Sequence, residues 1–270
     1  MKKLLTIFTI LFTAFALIGC NSKEDINDST LVIGASTTPH AEILEYIRPQ
    51  LEAAGYTLEI VEFTDYVLPN LALENEELDA NFFQHVPYLE YFNAENDTHL
   101  VSAGVVHFEP LGIYSGKSSD LSSITTGAQI AIPNDSTNRA RALLLLQANG
   151  IITLNEGVGL EATVLDIASN PYNIDFVEME AASIPAALQD VDFGVINGNY
   201  ALSSNVIDHL LASESADSEA ALLYANIIAV REGDENSEAI VTLVSILQSE
   251  DVRNFITTNY QGIVLPAYIG

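Results

Sequence analysis

The sequence predicts an α/β fold of two lobes, joined by two crossing segments and enclosing a ligand cleft between them. Three observations predict it. Apolar runs suited to strands alternate twice with helical stretches, the pattern of βαβ units and parallel sheet. Two passages rich in β-forming residues, around 105–115 and 222–231, stand where the chain would pass from one lobe to the other and return. The body that follows the N-terminal segment, about 240 residues, is long enough for two lobes.

Taken in order, "TLVIGAS" (30–36) is an apolar run for a buried strand. Thr37, Thr38 and Pro39 start a helix with its apolar stripe at Ile43, Leu44, Ile47 and Leu51, stopped by Gly55 and bent at Pro49. "TLEIVEF" (57–63) alternates as a strand does, "LPNLALENEEL" is a short helix, and "DANFF" (79–83) leads into the next strand. The second run begins after "VVHFEPLGIYSG" (105–116). There "AQIAIPND" (128–135) is a strand and turn, "STNRARALLLLQANG" (136–150) a helix closed by Gly150, "IDFVEM" (174–179) a strand, "SIPAALQ" a short helix and "FGVING" (193–198) another strand. "LLYANIIAVREG" (222–233) then leads to two amphipathic helices at 235–248 and 250–258.

The first twenty residues, "MKKLLTIFTILFTAFALIGC", have a basic start and an apolar run too short for a stable membrane span, as a secretory signal does. Their close, Leu17-Ile18-Gly19-Cys20, resembles a lipobox: Gly19 is small enough for the signal peptidase and the Cys20 thiol would accept the diacylglycerol. Cys20 is the one cysteine, so no disulfide forms within the chain. "NSKEDINDST" (21–30) lacks apolar periodicity and reads as a tether. The expected division is a signal peptide at 1–19, a lipid-anchored tether at 20–30, a first lobe of 31–110 and 226–270, and a second lobe of 111–225. Localisation follows as the extracytoplasmic face of the cell membrane, with the membrane a partner through the lipid.

Formal charge is −28, and loss of Lys2 and Lys3 with the signal makes the body more acidic still. Nucleic acid is thereby excluded as a partner, since its binding relies on Lys and Arg neutralising phosphates. An enzyme is not expected either: the chain has no G-x-S-x-G, Walker loop or H-E-x-x-H, and its cysteine is committed to lipid. No cofactor is implied.

In such a fold a ligand sits in the cleft beyond the carboxyl ends of the strands. Tyr66 follows one strand, and Phe83, His85 and Tyr88 follow the next. Alternation sends Phe82 and Phe83 to opposite faces, and Pro87 favours a helix start that turns Tyr88 over the strand end. Phe82 and Phe92 are then expected in the core. "NDSTNRAR" carries Asn138, Arg139 and Arg141 into a helix start, Asn197 and Asn199 follow "FGVI", and Asn226 lies in the second crossing. An arginine fork beside helix N-terminal amides suits a carboxylate, asparagine oxygens can accept from an ammonium, and rings hold an apolar or thioether side chain. Together the set suits an α-amino acid with a large apolar side chain. Two plainer readings stand beside it: Arg141 pairing only with an acid of this acidic chain, and Asn197 and Asn199 shaping a turn.

At "TPHAEIL", "DYVLPNLAL", "LDANFFQHVPYL", "NDSTNRARALLLLQ" and "VINGNYA" the chain resembles the methionine-binding lipoproteins of bacterial ABC importers, the NlpA or MetQ type, over nearly all of the mature sequence. The resemblance implies a periplasmic-binding-protein-like fold, and a lipid-anchored substrate-binding protein that delivers an amino acid, L-methionine first, to the permease and ATPase subunits of an importer. It further implies that Tyr66, Phe83, His85 and Tyr88 line the side-chain pocket, that Arg141 holds the carboxylate, and that Asn199 and Asn226 hold the head group. Arg139 stands as an additional arginine. Relatives of this type accept other amino acids or a methionyl dipeptide. The rival expectations are a zinc- or manganese-binding importer lipoprotein, using His40, His85 and His107 with an acid, and an adhesin without a small ligand.

Overall fold

A computed structural model describes residues 29–215 and 219–267. The signal segment 1–19, Cys20 and most of the tether lie outside the described residues. In the first half, β1 (Thr30–Ser36), α1 (Glu42–Ala53), β2 (Thr57–Phe63), α2 (Leu68–Glu74), β3 (Ala80–His85), α3 (Val86–Asn96) and β4 (Leu100–Phe108) follow one another. Then come β5 (Gly112–Ser115), β6 (Gln129–Pro133), α4 (Ser136–Ala148), the short pair β7 (Thr153–Leu154) and β8 (Ile167–Ser169), β9 (Asp175–Met179), α5 (Ile184–Ala187), β10 (Phe193–Ile196), α6 (Gly198–Ser203) and β11 (Leu210–Ser213). The chain closes with α7 (Glu219–Leu223), β12 (Ala225–Arg231), α8 (Glu238–Leu247), α9 (Glu250–Tyr260) and β13 (Leu265–Pro266).

Each lobe is built on a sheet, one ordered β13-β4-β12-β3-β1-β2 and the other β11-β5-β10-β6-β9. The expected parallel pairing holds for β2-β1-β3 and for β10-β6-β9. Elsewhere the sheets are antiparallel: β12 pairs with both β3 and β4, and β5 with both β10 and β11. The reason is directional. β4 and β12 carry the chain out of the first lobe and back into it, so they enter its sheet in opposite senses.

The first sheet is covered on both faces, and strand alternation assigns its residues. Ile33, Phe82, Ile228 and Val230 pack with Ile43, Leu44 and Leu51 of α1 and with α8 and α9, whereas Ile227 and Ala229 face Leu73 of α2 and Leu89 of α3. Pro49 does not interrupt α1, which continues to Ala53. Pro49 lies on the exposed side of the helix, while the stripe through Ile47 and Leu51 holds the helix on the sheet. In the second lobe, Leu143 and Leu146 of α4 pack on Ile130, Ile132, Phe193 and Val195, and α5 and α6 cover the opposite face. Among the described residues no helix is long and apolar enough to cross a membrane.

Candidate functional site

The segment after β3 builds one wall. All six residues of β3 are buried, and Phe83 and His85, two apart, share a face. His85 leaves the strand with extended backbone, and its Nδ1 accepts a hydrogen bond from the Tyr88 amide at 3.1 Å, capping α3. This turns Tyr88 back over the strand end, where its hydroxyl donates to the Tyr66 carbonyl at 3.1 Å. The rings of Tyr66, Phe83 and Tyr88 stand 5.6 to 6.1 Å apart. Phe82 and Phe92 are both buried, as expected, but in different clusters: Phe82 packs with Ile33 and Ile228, whereas Phe92, one turn beyond Tyr88, packs behind Phe83 and Tyr88.

The opposite wall starts at α4. Asp135 caps this helix by accepting from the Asn138 amide at 2.9 Å, which places Asn138 and Arg141 on its inward side, both buried. Arg141 donates from Nε and Nη2 to Glu214 at 2.7 and 2.5 Å, and from Nη2 to the Glu109 carbonyl at 2.7 Å. Its guanidinium lies over the Tyr224 ring at 4.5 Å and the Phe108 ring at 5.7 Å. The fork expected to be open to a carboxylate is therefore engaged by an internal acid, and Nη1 is the nitrogen that these bonds leave. Arg139, on the outer side of the same helix, pairs with Glu178 at 3.1 Å away from the cavity.

Asparagines complete the site. Asn197 precedes α6 and donates to Asn138 Oδ1 at 2.8 Å, while its own Oδ1 is buried without a partner among the described residues. Asn199 Oδ1 accepts from the Tyr66 hydroxyl at 2.6 Å, a bond that ties the lobes together. Asn226 Oδ1 accepts from His40 Nε2 at 2.9 Å. Tyr66, Phe83, His85, Tyr88, Arg141, Asn199 and Asn226 thus line a single cavity, together with Gln84, Glu109, Asn138, Asn197 and Gly198. The cavity is about 20 Å³, room for about one water molecule, so the lobes are closed on each other. On the far side of Tyr66, Tyr88 and Tyr200 a groove of about 570 Å³ opens between the lobes, lined by Asp65, Glu95, Asp135 and Glu180.

Glu109 is the functional candidate that the sequence did not disclose. One glutamate in a chain with 37 acidic residues carries no signal of its own. The available clue was its place, two residues beyond His107 at the end of a crossing strand. It is buried beneath the cavity, with Oε1 at 2.7 Å from His107 Nε2 and 3.4 Å from His40 Nε2. Burial holds both rings neutral, lowering His40 to about 4 and His107 to about 3, so they donate as neutral imidazoles. Burial also raises Glu109, opposed by His40, the Asn199 amide and Arg141. His85 is lowered to about 3 by burial and then by Arg141.

The metal rival named His40, His85 and His107. The structure gathers His40, His107 and Glu109, and His85 stands outside the group. The geometry is that of hydrogen bonds: Nε2 of each histidine faces an acceptor, and among the described residues both buried Nδ1 atoms lack the outer partner that metal-ligating imidazoles nearly always have.

Comparison with known proteins gives a consistent result. Residues 31–268 match the model of the NlpA lipoprotein family. The methionine-binding lipoprotein MetQ of Bacillus subtilis (strain 168) is 39% identical over 272 residues, covering 98% of this chain and 99% of the relative. The D-methionine-binding lipoprotein MetQ of Escherichia coli (strain K12) is 38% identical over 246 residues, 90% of this chain and 89% of the relative. A nutrient binding protein from Burkholderia cenocepacia, solved bound to methionine, superposes with a TM-score of 0.83 at 40% identity, covering 88% of this chain and 100% of that one.

Proposed function

From the premise that this chain belongs to the NlpA lipoprotein family, we propose that it is the substrate-binding component of an ABC importer and that its ligand is methionine, the L-enantiomer first. It is a receptor rather than an enzyme. The observation that carries this reading is the convergence on one buried cavity of a ring-lined wall at Tyr66, Phe83 and Tyr88 with the guanidinium of Arg141. A thioether lies well against rings, at ~0.3 to 1.5 kcal/mol per contact, and an arginine suits a carboxylate. His85, Asn199 and Asn226 would complete the walls around side chain and head group. Lobes of residues 31–110 with 226–270, and 111–225, would close over the ligand. Anchoring through lipid on Cys20 would keep the receptor at the extracytoplasmic face, beside the permease and ATPase subunits it serves.

Mass spectrometry of ligand released by denaturing freshly purified protein tests the reading, with calorimetry of L- and D-methionine on the emptied protein. Methionine should be recovered, and Arg141→Ala should weaken its binding by about 2 to 5 kcal/mol, the usual loss on truncating one partner of a buried charged pair. Arg139→Ala should leave affinity unchanged. Stoichiometric zinc or manganese without an amino acid would replace this reading with the metal one.

A further inference from the structure

We propose that Glu109, assisted by the free carbonyl oxygen of Asn197, is the acceptor for the ligand's ammonium group and so restricts the cleft to ligands with a charged amine. The inference rests on reading the cleft as an amino-acid site. It starts from the charges around the cavity. Arg141 is matched inside the protein by Glu214, through Nε and Nη2. Glu109 has no such match among the described residues: Arg141 reaches its backbone carbonyl rather than its carboxylate, and the side chains against that carboxylate are the neutral imidazoles of His40 and His107. A buried carboxylate without a cation is costly, and a ligand ammonium would supply one.

The geometry directs that carboxylate toward the ligand. Oε1 is held from below by His107, with His40 Nε2 3.4 Å away, while Oε2 lies against Gly198, a cavity-lining residue. A β-carbon at 198 would stand 2.9 Å from Oε2 and 3.0 Å from the Glu109 β-carbon, so glycine is what allows this approach. The Asn199 amide also bonds to Glu109, fixing it at the start of α6. Independently, Asn197 Oδ1 is a buried acceptor on the same cavity with no donor among the described residues. An ammonium has N–H groups enough for both oxygens. A hydroxyl in its place offers one donor and no charge.

Calorimetry with L-methionine and with 2-hydroxy-4-(methylthio)butanoate, in which a hydroxyl replaces the amine, tests this on the wild type and on Glu109→Gln. The variant should bind L-methionine about tenfold or more weakly, the difference between a charge-assisted and a neutral hydrogen bond, and should hold the hydroxy analogue within about twofold of the wild type. Equal losses for both ligands would reduce Glu109 to a structural part, and unchanged methionine affinity would remove it from the site; either result overturns the inference while leaving the methionine reading intact. A wild type that binds neither ligand overturns both. Should Glu109→Gln not fold, Gly198→Ala, which displaces Oε2, must produce the same selective loss of methionine, and equal affinity for methionine in Gly198→Ala and wild type overturns the inference.

Discussion

Phe82 leaves β3 toward Ile33 and Ile228, and Phe83 leaves it toward Tyr66 and Tyr88. Truncating these neighbours should therefore produce different failures. Phe82→Ala should cost ~3 to 5 kcal/mol of stability, as expected for emptying a packed core site, and retain the rise in melting temperature that L-methionine induces. Phe83→Ala should cost less stability and lose most of that rise. Thermal melts with and without ligand decide it, and the reverse pattern would mean that the faces are assigned wrongly. The buried histidines set a second expectation. Folded His40, His85 and His107 titrate at about 4, 3 and 3. In the unfolded chain they take protons near pH 6.5. Between those values the unfolded state binds more protons, so their contribution is complete above about pH 6.5 and is lost as pH falls toward 4. Glu109, raised in the fold, works in the opposite sense, one carboxyl against three rings. The acidic surface relaxes over the same range, so the measurement is a difference. Urea midpoints of His107→Gln should fall less between pH 7 and pH 5 than those of the wild type; parallel falls would show that His107 does not titrate on unfolding.

Helix α3 shows an element whose start doubles as a binding wall. His85 caps it through Nδ1 while the same ring borders the cavity. His85→Ala should cost the cap, about 1 kcal/mol, along with ligand affinity. His85→Asn should recover most of the stability, since an asparagine oxygen also caps, but not the affinity; recovery of both by asparagine would mean that the ring itself contributes nothing to binding. At this scale the sequence was legible wherever period and caps agree. β1, β2 and α4 have the residues their patterns predict, and the alternation of Phe82 and Phe83 places the aromatic wall. It was not legible at α6, where Asn197, Gly198 and Asn199 have the composition of a turn yet lead into a helix; the glycine answers to Glu109 packed directly against it, a contact that local pattern does not encode. The return direction of β12 and the pairing of Arg141 with Glu214 are likewise products of distant chain meeting. Their partners lie far off in sequence, and no periodicity reaches that distance.

Across the whole molecule, the two lobes meet at Tyr66 and Asn199, at the rings of Tyr66 and Tyr200, tilted at 32° with centroids 4.8 Å apart, and at the Tyr200 hydroxyl, which donates to the Thr64 carbonyl at 3.4 Å. A cavity of about 20 Å³ admits methionine only when these contacts part. Arg141 is placed differently. Its guanidinium holds the Glu109 carbonyl in the first crossing and Glu214 ahead of the second, and Glu214 in turn accepts from the Leu111 amide at 2.8 Å. The charged end of the site is thus fastened to the segments about which the lobes would swing, and the aromatic end to the parts that would travel. Encounter and retention are thereby separated in time. The head group can be met by Arg141 while the lobes stand apart, so amino acids that differ only in side chain should share one association rate constant, and their selectivity should reside in how long each is kept. Stopped-flow fluorescence with L-methionine and L-norleucine should give equal association rates and unequal dissociation rates; side-chain discrimination in the association step would mean that the rings engage before the arginine does.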